Sequence, residues 1–179
     1  GPGLQLRHVD IISHPRKIAR ITGRSRRHAD RGQITAAVVL VAVDSSSWLL
    51  KGLVRDGQHP RGLVGSEFDR VDPHQPTPQP IEVLFHSPVV CGGTATYADA
   101  AYYKAASGAG VFDSGTSTFV CALQPGGCAD AAASQALTGI VTRLLTAFAV
   151  GPAGQAHLAR DNLSLLRISR PPTPTIHSG

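Results

Sequence analysis

From residue 137 the chain places an apolar side chain every third or fourth position. Leu137, Ile140, Val141, Leu144, Leu145 and Phe148 fall on one side, with Gln135, Thr138, Thr142, Arg143 and Thr146 on the other. That period predicts an amphipathic helix over 131–150, opened by Asp130 as N-cap and stopped by Gly151-Pro152. The polar side carries one basic residue, too few for a helix lying on a membrane surface, so the stripe is expected to pack on a sheet.

Elsewhere the period is two. Ile81 to His86 alternates Ile81, Val83 and Phe85 with Glu82, Leu84 and His86, which predicts a short strand released at Pro88. Residues 97–105 and 109–113 flank Ala106-Ser107-Gly108 and predict a hairpin. Thr118 to Leu123 predicts a further strand, closed by Gln124-Pro125-Gly126-Gly127. Ile34 to Val43 is apolar except for Thr35, with β-branched Val38, Val39, Val41 and Val43, as in a strand covered on both faces. It is roughly half as long as a membrane-spanning helix needs to be, so no span is expected. As the apolar region of a signal peptide, it follows its charged residues too far from the N-terminus and lacks a clear cleavage site. Asp72 to Pro80 holds four prolines and is a linker or long loop. Beyond residue 166 periodicity ends, and 167–179 is expected to be a disordered, Pro-rich tail.

Charge divides the chain unevenly. Residues 1–32 carry eight Arg and Lys against Asp10 and Asp30, whereas the remainder carries nine against ten. The sequence pI of about 9.6 thus belongs to the N-terminus. Arg24, Arg26 and Arg27 are the residues there that would meet phosphates. No aromatic residue precedes Trp48, so the stacking platform of a single-strand reader is missing and nucleic acid is not the expected partner. The preference for Arg over Lys (14 to 3) and the absence of Met suggest a GC-rich source and a fragment. On that reading residues 1–61 are a basic segment of uncertain structure.

Few residues carry chemistry at a usable spacing. Val111 to Ser117, VFDSGTS, resembles the catalytic loop of aspartic proteases, with Asp113 as the water-activating carboxylate. That reaction needs two carboxylates sharing a proton, and one copy of the motif could supply them only in a homodimer. The competing reading is a turn, with Asp113 and Ser114 bonded to local backbone and Gly115 taking the left-handed conformation. The eight histidines form no H-x-H or H-E-x-x-H pair, and Cys121 and Cys128 are too far apart for C-x-x-C, so no zinc site is expected. The Pro-Gly-Gly bend between those cysteines could bring their Cα atoms within disulfide range, giving a bridge in an exported protein and two thiols in a reducing one. Cys91 lacks the following helix that an amidotransferase nucleophile requires.

Five phrases in order carry a wider resemblance: Gly65-Ser66-Glu67-Phe68-Asp69, HSPVVCGG from His86, ADAAYY from Ala98, SGAGVFDSGT from Ser107 and AFAVGPAGQAHLARDNL from Ala147. Over roughly residues 62–163 they resemble the C-terminal region of N,N-dimethylformamidase large (beta) subunit-like proteins. Residues 1–61 show no such likeness. The resemblance implies an α/β fold, part of a glutamine-amidotransferase-like layered sheet with one long helix, incomplete without an upstream β-rich part. It divides the chain into 1–61, a C-terminal domain at 62–166 and the tail. It implies amide hydrolysis by water on iron held by two tyrosines and a glutamate. Glu67 stands at the candidate glutamate position, whereas Tyr97, Tyr102 and Tyr103 do not match the tyrosine positions. The expectation is therefore a C-terminal portion of such an amidohydrolase, inactive alone and binding no cofactor by itself. A non-catalytic scaffold is the alternative, and the aspartic protease a third.

Overall fold

A computed structural model describes residues 19–20, 40–58, 63–65, 67–72, 76–124 and 126–166. The Arg24–Arg27 cluster, residues 34–39 of the apolar run and the 167–179 tail lie outside the described residues. The fold is mixed α/β. A three-stranded antiparallel sheet runs in the order β3 (Ile81–Cys91), β4 (Thr94–Lys104), β5 (Gly110–Asp113). A two-residue pairing joins β1 (Ala19–Arg20) to β2 (Asp69–Arg70). The helices are α1 (Phe119–Ala122), α2 (Ala131–Val150) and α3 (Ala153–Ala156).

β3 and β4 are longer than the alternation indicated because Gly92 and Gly93 join them directly. Both glycines have positive φ, 56° and 76°, as a two-residue hairpin turn of the right twist demands. Pro88 does not end β3. It is exposed on an edge strand, where a missing N–H costs no ladder bond. The hairpin at 105–109 forms as expected, with Lys104 opposite Gly110.

A β-bulge between Val83 and Phe85 changes the faces of the sheet. Strict alternation would put Phe85 with Ile81 and Val83. The extra residue instead turns Leu84 and Phe85 together into the core, opposite Ala100, and sends His86 to the other face, opposite Asp99.

The core face carries Leu84, Phe85, Ala100 and Tyr102. It shares one buried cluster with Leu40, Ala42, Leu49, Leu50 and Val54, and with Leu137, Ile140 and Leu144 of α2. Residues 41–43 run along the outer edge of β3, where the Val43 N–H donates to the Leu84 carbonyl and the His86 N–H to the Val41 carbonyl. Within the described part of the Ile34–Val43 run, only Ala42 forms a β-bridge. Farther along that edge Asn162 takes the place of a strand, its side-chain amide accepting from the Val83 N–H and donating to the Val83 carbonyl, both at 2.8 Å.

α2 has the expected limits, and the Asp130 carboxylate accepts from the Ala133 N–H at 2.8 Å. Its buried face differs from the expected stripe. Ala133 and Ala136 join Leu137, Ile140 and Leu144 inside, whereas Leu145 is 62% exposed and Phe148 is exposed too. By length and composition α2 could cross a membrane, but its inner face is committed to this core.

Residues 118–123 form a helical turn rather than a strand. Phe119 and Ala122, three apart, both face the core while Val120 is exposed, so helical spacing satisfies the burial that alternation would have split. The following bend brings Cys121 and Cys128 together as a disulfide with Cα atoms 5.6 Å apart.

Candidate functional site

The face of the sheet opposite the core collects titratable groups. Registration sets His86 of β3 against Asp99 of β4, and Ala101 of β4 against Asp113 of β5, with Tyr103 one alternation further on. Residues 69–72 and 76–80 cover this face. Arg70, Val71, Asp72, Thr77, Asp99 and Asp113 help to enclose a cavity of about 10 Å³ there, enough for roughly one water.

Asp99 is the hinge of the arrangement, with its side chain 4% exposed. One carboxylate oxygen meets His86 Nδ1 at 2.5 Å, and the other accepts the Val71 N–H at 2.9 Å. Tyr97 stacks on the His86 ring with centroids 4.1 Å apart, so the imidazole is held on its plane as well as at its nitrogen. Asp113 lies deeper than a loop aspartate. Burial pushes its carboxyl above the usual range, the Gly115 N–H partly offsets this by donating to it at 2.8 Å, and the charges of Asp69 and Asp99 push it higher. Burial also raises the Tyr103 hydroxyl, with Asp113 adding to the effect.

The two segments picked out separately in the sequence meet here. Phe68 bridges Thr116, the Asp69 N–H donates to the Gly115 carbonyl at 3.0 Å, and Thr116 Oγ1 accepts from the Gly65 N–H. The loop 113–117 therefore has the bonding of a turn. Gly115 has φ +68°, and a Cβ there would run into the Asp99 carbonyl. Asp113 is thus placed inside the cluster.

Glu67 is not. Its backbone carbonyl accepts from Thr116 Oγ1 and the Ser117 N–H, but its side chain is exposed and takes no hydrogen bond or ion pair among the described residues. Sequence reasoning missed His86–Asp99 altogether, because the pairing depends on the register of two strands and on the bulge between Val83 and Phe85, neither of which leaves a local signal.

A family model described as N,N-dimethylformamidase beta subunit-like, C-terminal, matches residues 12–132. The chain belongs to that family. The matched span begins at 12, well before the likeness read from the sequence at 62, and ends at 132 rather than 163. Neither the curated proteins nor the solved structures give a match.

The iron set that the dimethylformamidase resemblance implies does not fit the residues present. Glu67 points to solvent, the Tyr97 ring lies stacked on His86, and the Tyr102 hydroxyl donates to the His157 carbonyl at 3.0 Å from the core face of the sheet. Among the described residues no three His, Cys, Asp or Glu side chains are arranged to hold a metal ion.

Proposed function

We propose that this chain is the C-terminal domain of a dimethylformamidase-like amide hydrolase, part of a glutamine-amidotransferase-like layer, and that it does not complete a catalytic centre by itself. On this reading the upstream β-rich part of a larger protein brings the remaining site residues, and the present domain supports them. One observation carries the reading. Four of the five family phrases supply Asp69, His86, Asp99 and Asp113 to an internally bonded acidic cluster with space for about one water, while Glu67, the residue at the candidate ligand position, lies outside it in solvent. A substrate pocket is normally tens of times larger, ~300 Å³ or more.

The test is to purify the 179 residues, supply ferrous or ferric iron, and assay N,N-dimethylformamide hydrolysis near neutral pH and peptide hydrolysis in acid. Both assays should be silent. Formamide turnover that disappears in Glu67→Gln would overturn the proposal. Peptide cleavage lost in Asp113→Asn would replace it with the homodimeric aspartic protease.

A further inference from the structure

On the other side of the molecule, α2, the Gly151–Pro152 bend and α3 enclose an open groove of about 710 Å³, within the range of pockets that hold small organic ligands. Its floor is apolar, supplied by Ala147, Val150, Ala153 and Ala156. One end is an aromatic wall, where Trp48 stacks on His157 with centroids 4.0 Å apart and meets Tyr102 edge-on.

Arg143 and Trp48 bring donors to this wall. Arg143 Nη1 donates to the Trp48 and Leu49 carbonyls at 3.3 and 3.0 Å, which fixes the guanidinium at the groove. Its Nη2 and Nε have no partner among the described residues. Trp48 Nε1 is buried and also lacks a hydrogen-bond partner there. No aspartate or glutamate is among the lining residues, so the Arg143 charge is unanswered at the groove.

We infer that this groove binds an amphipathic monocarboxylate, with the carboxylate on Arg143 and the apolar body along Ala147, Val150 and Ala156. A guanidinium with free donors matches a carboxylate in charge and geometry. The site needs nothing from the acidic cluster, which lies on the opposite face of the sheet, so it stands whether or not the proposed function does.

The chain has a single tryptophan, Trp48, so its fluorescence reports on this wall alone. The full chain is titrated with decanoate and, separately, with decanol, each kept below its aggregation concentration, and heat is measured in parallel. Decanoate should bind saturably, one per chain, and about tenfold more tightly than decanol. Arg143→Met should abolish that preference. Because Arg143 also holds two backbone carbonyls, a second pair of variants avoids its folding role. Val150 is 86% exposed, and Val150→Lys should bind decanoate about tenfold more tightly than Val150→Asp, with decanol unable to tell them apart. Equal affinities for decanoate and decanol, or for the two Val150 variants, would overturn the inference. So would self-association that alters Trp48 emission without ligand, which would make a second copy of the chain the occupant.

Discussion

Asp113 is pulled in two directions by its surroundings. Burial and the neighbouring Asp69 and Asp99 charges oppose its ionisation, and the Gly115 N–H favours it, with the balance towards the protonated form. In the unfolded chain the carboxyl ionises at its ordinary value of 3.8. Raising the pH above that point therefore penalises the fold, progressively until the higher folded value is passed, whereas below 3.8 no penalty exists. Asparagine keeps an oxygen for the Gly115 N–H but carries no charge. Asp113→Asn should accordingly gain stability relative to the parent as pH goes from 4 to 7, as read by urea unfolding at each pH. A constant difference across that range would mean that the carboxyl is better solvated than its setting implies. The neighbouring glycine has no such latitude, since Gly115 combines positive φ with a carbonyl where a side chain would begin.

At the scale of elements, α2 is where burial can be tested against periodicity. Leu144 is 5% exposed and sits among the buried leucines, so Leu144→Asp would bury a charge without a partner and should cost several kcal/mol, roughly 3–5, enough to unfold a domain of ordinary stability. The next residue is the discriminating case. The apolar stripe places Leu145 inside with Leu144, yet it is 62% exposed, and Leu145→Asp should change stability by no more than about 0.5 kcal/mol in thermal or urea melts. Thr142→Asp should be equally mild. A second element-scale prediction concerns the Cys121–Cys128 bridge ahead of α2. Reduction should lower stability by about 2–3 kcal/mol, measured with and without a thiol reductant.

The limits of α2, the 105–109 hairpin and the Cys121–Cys128 proximity were legible in the sequence because each depends on neighbours only a few residues apart. The short helix at Phe119 was not. Its β-branched and aromatic residues favour extended chain, but burial of Phe119 and Ala122 together decided the outcome. The candidate site was legible by halves. Glu67 and Asp113 stood out as motif residues, and the loops that hold them do pair. His86 and Asp99 carried no local signal, because a bulge at Leu84 decides which face His86 takes.

At the scale of the whole molecule, distant parts of the chain complete the same structure. Asp44, Glu82 and Arg160 form one network, in which Arg160 Nη2 lies 3.2 Å from Asp44 and 3.4 Å from the fully buried Glu82. Asn162, just beyond, satisfies both backbone groups of Val83. Asn162→Ala should leave that buried N–H and carbonyl unpaired and cost about 2–5 kcal/mol, with faster amide exchange at Val83 than in the parent. Unchanged exchange would show that water or another segment can replace the clamp.

The edge of β3 that Asn162 seals also has a history during synthesis. An open β-edge rich in Ile, Val, Leu and Phe is a template on which other chains can pair. Here residues 41–43 precede the hairpin and can cover Leu84 and His86 at once, but the clamp follows it, so every nascent chain carries the Val83 end of that edge unsealed for the time needed to make the segment from 105 to 162. Folding of this domain must therefore finish after residue 162 has emerged. Until then, its solubility depends on how well the cell shields one strand.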